Sequence, residues 1–481
     1  MPDRQLLRDR SGNRLPRREF LGLVGAGAIS VAGCRLLAQD QATPPPGRPN
    51  IIVILADDLG YADLGCQGCE DVPTPHTDSI AQGGVRFTNG YVSAPLCSPT
   101  RAGLMTGRYQ QRFGHEFNPG PARFVAQSFG LPLSEITMAN VLKEAGYATG
   151  LVGKWHLGYT EAMHPMSRGF DEFFGFLGGA HSYVDALLDR DNPILRGRER
   201  VDEKEYLTDA FAREATAFID RHQNERFFLY LPFNAVHAPM EAPQKYLDRF
   251  PNHGDPIRRK MAAKLGALDD AVGAVLEKIA AVGHRHDTLI FFLSDNGGPT
   301  PTNGSRNTPL RGYKAQVYEG GIRIPFLAQW PDRIPAGVVY DNPIIQLDIL
   351  ATAASAAGGR LPTDRVMDGV DLAPFLTGQN AGVPHDTLLW RMGEQHAVRR
   401  GNWKLVRRPD TGDALYDLSQ DARETTDMAG RQPDVAAELT QALTQWESEL
   451  KDPLWGGGGA GRAMGQGAAG GRRLRRGRGR Y

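Results

Sequence analysis

Apolar positions in this chain follow two rhythms. In one they form short unbroken runs, at 50–56, 147–153, 226–233, 288–293 and 324–328. Runs of that length, rich in β-branched and aromatic residues and without polar alternation, predict strands buried on both faces, as in a parallel sheet covered by helices. In the other rhythm apolar residues recur at helical spacing, over 74–80, 137–145, 208–222 and about 258–282. Helix and strand alternate through this region, which is the signature of an α/β fold. The segment 85–92 is a further predicted strand, and Pro99 fits near the start of a helix running through Met105. Beyond about residue 335 the pattern changes. An Ala-rich helix is expected over 344–357, then alternating stretches at 396–406 and 413–418 that predict a small antiparallel sheet, closed by a helix over 433–450.

The ends of the chain read differently. Residues 1–40 look like an export signal, with Arg17-Arg18-Glu19-Phe20-Leu21 before a Gly/Ala-rich apolar run that ends at Gly33. The paired arginines resemble a twin-arginine signal, although Pro16 and Gly22 depart from its usual flanks. That run is shorter than the roughly 20 residues a membrane-spanning helix needs, so no span is expected in the mature protein. Val31-Ala32-Gly33-Cys34 looks like a lipobox, which makes Cys34 a candidate for lipid anchoring, against cleavage near Ala38 by a conventional peptidase. Residues 41–49 read as a Pro-rich linker, 50–335 as the main domain, and 336–455 as the end of the core with a C-terminal α+β subdomain. From 456 to 481 the chain is rich in Gly and Arg, with too little apolar content to fold. A solvated end is favoured there over a polyanion-binding tail, and no nucleic-acid partner is expected.

Composition sets broad limits. With 481 residues, 41% hydrophobic and 23% charged, the chain has the balance of a globular protein large enough for one big domain and a smaller one. Its four cysteines are too few for a disulfide scaffold. Cys66 and Cys69 form a C-x-x-C without the second pair a zinc site needs, so a disulfide and two free thiols both stay open.

Polar residues with chemical potential gather at the carboxyl ends of the predicted strands, where open α/β sheets build their sites. The first strand ends in Asp57-Asp58, and the one at 288–293 is followed by Asp295-Asn296. Adjacent carboxylates repel unless a cation lies between them. This is a set of hard oxygen donors, which suits calcium, or less well magnesium, better than zinc. Lys154 and His156 lie two apart after another strand, so on an extended segment they would point the same way and could bind an oxyanion together.

Six segments carry a resemblance. Ala56-Asp57-Asp58, Cys97-Ser98-Pro99-Thr100-Arg101, Gly153-Lys154-Trp155-His156-Leu157-Gly158, Val236-His237-Ala238-Pro239, Ser294-Asp295-Asn296-Gly297-Gly298 and Arg311-Gly312-Tyr313-Lys314 stand in the order of similar segments in the type I sulfatases. The chain resembles that family over roughly 50–455. The resemblance implies an alkaline-phosphatase-like three-layer α/β sandwich with a large, mostly parallel central sheet, plus a smaller C-terminal antiparallel sheet with a helix.

It also implies a sulfuric ester hydrolase in which Cys97 is converted to Cα-formylglycine by a formylglycine-generating enzyme. One hydroxyl of the hydrated aldehyde attacks sulfur, and the other later expels sulfate by re-forming the aldehyde. Asp57, Asp58, Asp295, Asn296 and the residue made from Cys97 would hold calcium. Arg101 would stabilise the hydrate, and His156 would act as base. Lys154, His237 and Lys314 would contact sulfate, with His237 or Lys314 protonating the departing alcohol. Residues 109–115 and 178–183 resemble segments near the pocket of carbohydrate sulfatases, making His115 and His181 candidate sugar contacts. The expected substrate is a sulfated carbohydrate, with aryl sulfates as surrogates. The expected location is periplasmic or secreted, reached through the export machinery. The alternatives are a phosphonate or phosphate monoester hydrolase of the same superfamily, and a non-catalytic binder of sulfated glycans.

Overall fold

The computed structural model describes residues 47–121 and 129–456. The expected export signal, Cys34, linker residues 41–46 and the tail from 457 onward lie outside the described residues. Strands are numbered β1 (Asn50–Ala56), β2 (Val85–Phe87), β3 (Gly90–Tyr91), β4 (Ala148–Lys154), β5 (Glu172–Phe176), β6 (Leu195–Arg196), β7 (Glu199–Arg200), β8 (Phe227–Pro232), β9 (Thr288–Ser294), β10 (Phe326–Gln329), β11 (Val338–Tyr340), β12 (Ile344–Ile345), β13 (Thr387–Met392), β14 (Gln395–Arg400), β15 (Trp403–Arg408) and β16 (Gly412–Asp417). Ten of them form one sheet in the order β11-β2-β10-β9-β1-β8-β4-β5-β6-β7.

The four apolar runs that alternate with helices become its centre. β1 pairs in parallel with β8 and β9, and β4 in parallel with β8 and β5. The absence of polar alternation has a plain physical cause: Ile51, Val53 and Leu55 face one core, while Ile52, Ile54 and Ala56 face another. The first core is shared with Leu104 and Met105 of the Cys97–Thr106 helix and with the helix Asp348–Ala357. The second is shared with the helices Leu207–Arg221 and Pro256–Ala281. A sheet between two helical layers is the three-layer sandwich expected. At roughly 1.5–3 kcal/mol for each fully buried Val, Leu, Ile or Phe side chain, these two cores supply the main drive to fold.

The edges differ from the expectations. The segment 85–92 is not one strand: β2 lies in the large sheet, while β3 pairs with β12 in a separate two-stranded sheet. β10 runs antiparallel to both β9 and β2, so the sheet is mixed on that side. The helix expected from 344 starts at Asp348, because Ile344 and Ile345 are taken by β12 and the Asp348 carboxylate accepts the Ile345 N–H at 2.9 Å. The stretch 396–406 is a hairpin of β14 and β15, and β13 and β16 complete a four-stranded antiparallel sheet. Cys66 and Cys69 are free thiols. Among the described residues no helix is long and apolar enough to cross a membrane.

A buried charge cluster joins this sheet to the body of the fold. Lys404 Nζ on β15 lies 2.8 Å from both Glu319 Oε1 and Glu424 Oε1, all with fully buried side chains. Glu319 Oε2 accepts the Tyr91 hydroxyl at 2.6 Å. Burial favours the protonated acids, but for Glu319 it is outweighed by Lys404, Arg323 and Arg399, which hold it at about 2. Glu424 is pushed up to about 7 by burial, against the pull of Lys404. The folded state therefore binds the Glu424 proton more tightly than the unfolded chain does. That contribution to stability is complete below the ordinary value of 4.5 and declines as pH rises to about 7. Glu319 has the opposite sign, losing its contribution as pH falls from 4.5 towards 2. Removing the shared cation strands two buried carboxyls, so Lys404→Met should lower the free energy of unfolding by about 3–5 kcal/mol. Urea denaturation at neutral pH checks this; a loss below about 1 kcal/mol would contradict it.

Candidate active site

The carboxyl ends of β1, β4, β8 and β9 converge with the start of the Cys97–Thr106 helix. Cys97 is the first residue of that helix and is 1% exposed. The helix begins after Leu96 with no side-chain cap, so the N-terminal end of its dipole is directed at the site. Three of the expected ligands, Asp57, Asp58 and Cys97, are grouped with His237, which was expected as a sulfate contact: one atom of each of the four lies within 4.8 Å of the others. Asp58 and Asp295 meet through the Asp58 N–H, which donates to Asp295 Oδ1 at 3.2 Å. Asn296 Nδ2 donates to Asp58 Oδ1 at 2.7 Å, while its own Oδ1 is buried and has no partner. An orphaned amide oxygen beside buried carboxylates fits a hard cation, since a buried acceptor without a partner is otherwise costly.

Three basic side chains pair with these acids. Lys154 Nζ donates to Asp57 Oδ2 at 2.5 Å. Lys314 Nζ donates to Asp58 Oδ1 at 2.6 Å and lies 3.2 Å from Cys97 Sγ. Arg101 binds Asp295 Oδ2 through Nε at 3.1 Å and Nη2 at 2.8 Å, and the Lys154 carbonyl through Nη1 at 3.1 Å. Burial pushes the Asp57 carboxyl up, but Lys154, His237 and Arg101 outweigh it and the net shift is downward. Asp58 is likewise lowered against burial, chiefly by Lys314 and His237. The Cys97 thiol moves the other way, raised by burial and then by Asp295. An unmodified Cys97 is thus held as a neutral thiol, a poor nucleophile.

His156 lines the cavity above Cys97, and burial followed by the Lys154 and Arg101 charges lowers it well below the ordinary histidine value. It is therefore a neutral imidazole, and its buried Nδ1 has no partner. The extended geometry expected for 154–156 ends at Lys154, because His156 has φ 59°. Asp58 at φ 65° and Ala315 at φ 68° share this left-handed conformation, which costs a residue with a Cβ energy and gathers where a fold over-determines a site. Gly297 is needed for close approach, since a Cβ there would lie 1.8 Å from the Gly320 carbonyl oxygen. Gly179 is needed because a Cβ would stand 2.6 Å from His156 Nε2.

The two histidines expected as sugar contacts are buried and do not line the cavity. His115 is fully buried, with Nε2 2.6 Å from Ser98 Oγ and its ring against Trp455. Ser98 Oγ also donates to the His156 carbonyl at 2.6 Å, so Ser98 and His115 brace the backbone of His156 from behind. His181 is buried against Phe176, with Nδ1 2.8 Å from the Ser182 carbonyl; backbone at Gly178–Ala180 lines the cavity in its place. Short-range hydrophobic pattern does not distinguish a histidine facing a pocket from one packed one layer deeper.

Other contributors carry no sequence signal of their own. Lys264, fully buried in the Pro256–Ala281 helix, donates to the carbonyls of His237 and Pro239 and lies 3.9 Å over the Tyr183 ring. Tyr183 donates to the His237 carbonyl at 2.8 Å. Together they hold the loop that presents His237. The cavity itself, of about 390 Å³, is reached past Tyr159, Asn118 and Asn192.

The α/β sandwich, with a mostly parallel ten-stranded sheet and a small antiparallel one beside it, fits the alkaline-phosphatase-like fold. The sulfatase family model matches residues 49–359, and the N-sulphoglucosamine sulphohydrolase C-terminal model matches 313–449. Rat N-acetylgalactosamine-6-sulfatase is 35% identical over 412 residues, covering 81% of this chain and 74% of the rat protein. Bovine arylsulfatase A is 34% identical over 470 residues, covering 85% and 89%. The crystal structure of Ps i-CgsB in complex with k-i-k-neocarrahexaose superposes with a TM-score of 0.81 at 34% identity, covering 85% of this chain and 95% of that one. The chain belongs to the type I sulfatases of the alkaline phosphatase superfamily, and it is a sulfuric ester hydrolase.

The geometry around His156 yields a direct test. Gly179→Ala forces the imidazole aside and should reduce kcat for 4-nitrophenyl sulfate by about 10–100-fold, the scale of a misplacement near 1 Å. Steady-state kinetics with a matched thermal melt check it; unchanged kcat in the folded variant would contradict it.

Proposed function

We propose that this sulfatase releases sulfate from a sulfated carbohydrate outside the cytoplasm, with the residue made from Cys97 as nucleophile. The observation that carries the reading is a Cys97 thiol that the site does not activate, at a helix N-terminus, within reach of carboxylates and Lys314. A neutral buried thiol makes chemical sense there as the precursor of a formylglycine. Carbohydrate is favoured because the rat relative is named for a sugar sulfate and the Ps i-CgsB structure for its complex with k-i-k-neocarrahexaose. Export rests on the twin-arginine-like segment alone.

Asp57, Asp58, Asp295 and Asn296 would hold a calcium ion together with the modified residue. Bound there, the ion would supply Lewis-acid polarisation of a sulfate oxygen. Lys314 and Lys154 place positive charge where negative charge grows on the transferring group, and the Cys97 helix start adds to it. Arg101, closed onto Asp295 and the Lys154 carbonyl, fixes these groups rather than meeting substrate. His156, neutral and with a free nitrogen, accepts a proton from the hydroxyl that drives sulfate release. His237 lines the cavity, is partly exposed, and has Nε2 3.6 Å from Asp58 Oδ2. His237 and Lys314 both contact Asp58, and the two stand as the candidates to protonate the leaving oxygen.

Mature enzyme should hydrolyse 4-nitrophenyl sulfate, lose that activity on chelation and regain it with calcium, while Cys97→Ala stays folded and inactive. Full recovery with magnesium alone would contradict the choice of ion. Faster turnover of a phosphonate ester than of the sulfate under the same conditions would overturn the reading in favour of a phosphonate hydrolase.

A further inference from the structure

A buried cation supports the His237 loop from behind. Lys264 lies in the middle of the Pro256–Ala281 helix, on the face it shares with the fully buried Met261 and Leu268. An apolar residue would suit that face, and an ammonium there is costly because burial opposes its charge. Burial pulls Lys264 down to about 7, against the charges of Asp57, Glu241 and Asp58. Neutral groups take the place of water around it. Its Nζ donates to the His237 carbonyl and, at 2.8 Å, to the Pro239 carbonyl, and it stands 3.9 Å over the Tyr183 ring. The carbonyl between those two, that of Ala238, is 2.6 Å from His237 Nδ1. A carbonyl can only accept, so Nδ1 carries a proton, and Nε2 is left to face the cavity and Asp58 Oδ2 at 3.6 Å. The Tyr183 hydroxyl donates to the same His237 carbonyl at 2.8 Å. Glu241 fastens Tyr183 in turn, accepting its N–H at 2.8 Å and the Ser182 hydroxyl at 2.9 Å.

We propose that Lys264 is a positioning residue that aims the His237 imidazole: by clamping the carbonyls of His237 and Pro239 it fixes the Ala238 carbonyl that holds Nδ1, and so sets where Nε2 points. The proposal rests on the reading above, in which His237 meets the substrate. Lys264 contacts the loop backbone and the Tyr183 ring, and acts on the reaction through His237 alone. An ammonium suits this task, since it offers three donors and is drawn to an aromatic face. A carbonyl between two anchored neighbours has little freedom to turn. Without the clamp it rotates, the ring follows its hydrogen bond, and Nε2 leaves the position from which it reaches the substrate. The Tyr183 hydroxyl holds only one of the two clamped carbonyls, so its removal should act in the same direction and more weakly.

The test is a double-mutant cycle on full-length mature enzyme made with a formylglycine-generating enzyme, with 4-nitrophenyl sulfate as probe and rates taken per mole of modified Cys97. Lys264→Met keeps the length of the side chain and removes its donors; it should lower kcat by about 10–100-fold, the scale of a reacting group displaced by about 1 Å. Tyr183→Phe should lower it by about 3–10-fold, the worth of one hydrogen bond. In a His237→Ala background each change should alter kcat by less than about twofold, because a residue that acts only through His237 has nothing left to aim. A loss of the same size in both backgrounds would overturn the proposal, as would an unchanged kcat in Lys264→Met while His237→Ala is impaired. If Lys264→Met does not fold, the Tyr183→Phe cycle decides by the same comparison. Wild-type turnover by His237→Ala would instead overturn the reading that His237 meets the substrate, and this proposal with it, a result distinguishable from failure of the clamp alone.

Discussion

Three carboxylates, Asp57, Asp58 and Asp295, sit fully buried or nearly so at the ends of two neighbouring strands. No fold tolerates that without cations, because charges taken out of water must be paired or given up. Much of the site follows from this constraint. Lys154 comes from β4, two strands away, and reaches Asp57; Arg101 comes from the helix behind Cys97 and reaches Asp295; Lys314 comes from the loop before β10 and reaches Asp58. Two of these cations, Lys154 and Lys314, are also the ones proposed above to meet an anionic substrate. Burial, and after it the charge of Asp295, keeps the Cys97 thiol protonated despite the two lysines beside it.

The bracing runs outward in layers. Ser98 and His115 hold the His156 backbone, Lys264 and Tyr183 hold the His237 loop, and the Glu319–Lys404–Glu424 cluster ties the C-terminal sheet to the segment just beyond Lys314. The C-terminal sheet is thus more than an appendage. Arg311 donates to the Glu424 carbonyl and Gln395 to the Ala315 carbonyl, so both flanks of Lys314 rest on that sheet.

How far the sequence carries depends on the range of the interaction that decides each feature. The central strands were legible because a strand buried on both faces leaves an uninterrupted apolar run, as in β1. The strand-end acids were legible because adjacent Asp57 and Asp58 have few inexpensive explanations. The split of 85–92 between two sheets was not, since it depends on distant partners β10 and β12. The true surroundings of His115 and His181 were not, because burial one layer behind a pocket depends on packing rather than on neighbouring residues. Lys264 was hidden in an ordinary helical pattern. Nor was the need for Gly297 legible; it arises because Gly320, distant from it in sequence, passes within reach of where its Cβ would be.

The account stands on the chemical state of one side chain. Mass spectrometry of the peptide containing Cys97, taken from active enzyme whose sulfatase turnover has been measured on the same sample, should show an aldehyde or its hydrate in place of the thiol, in proportion to activity. Full activity in a sample whose Cys97 is entirely the unmodified thiol would contradict it.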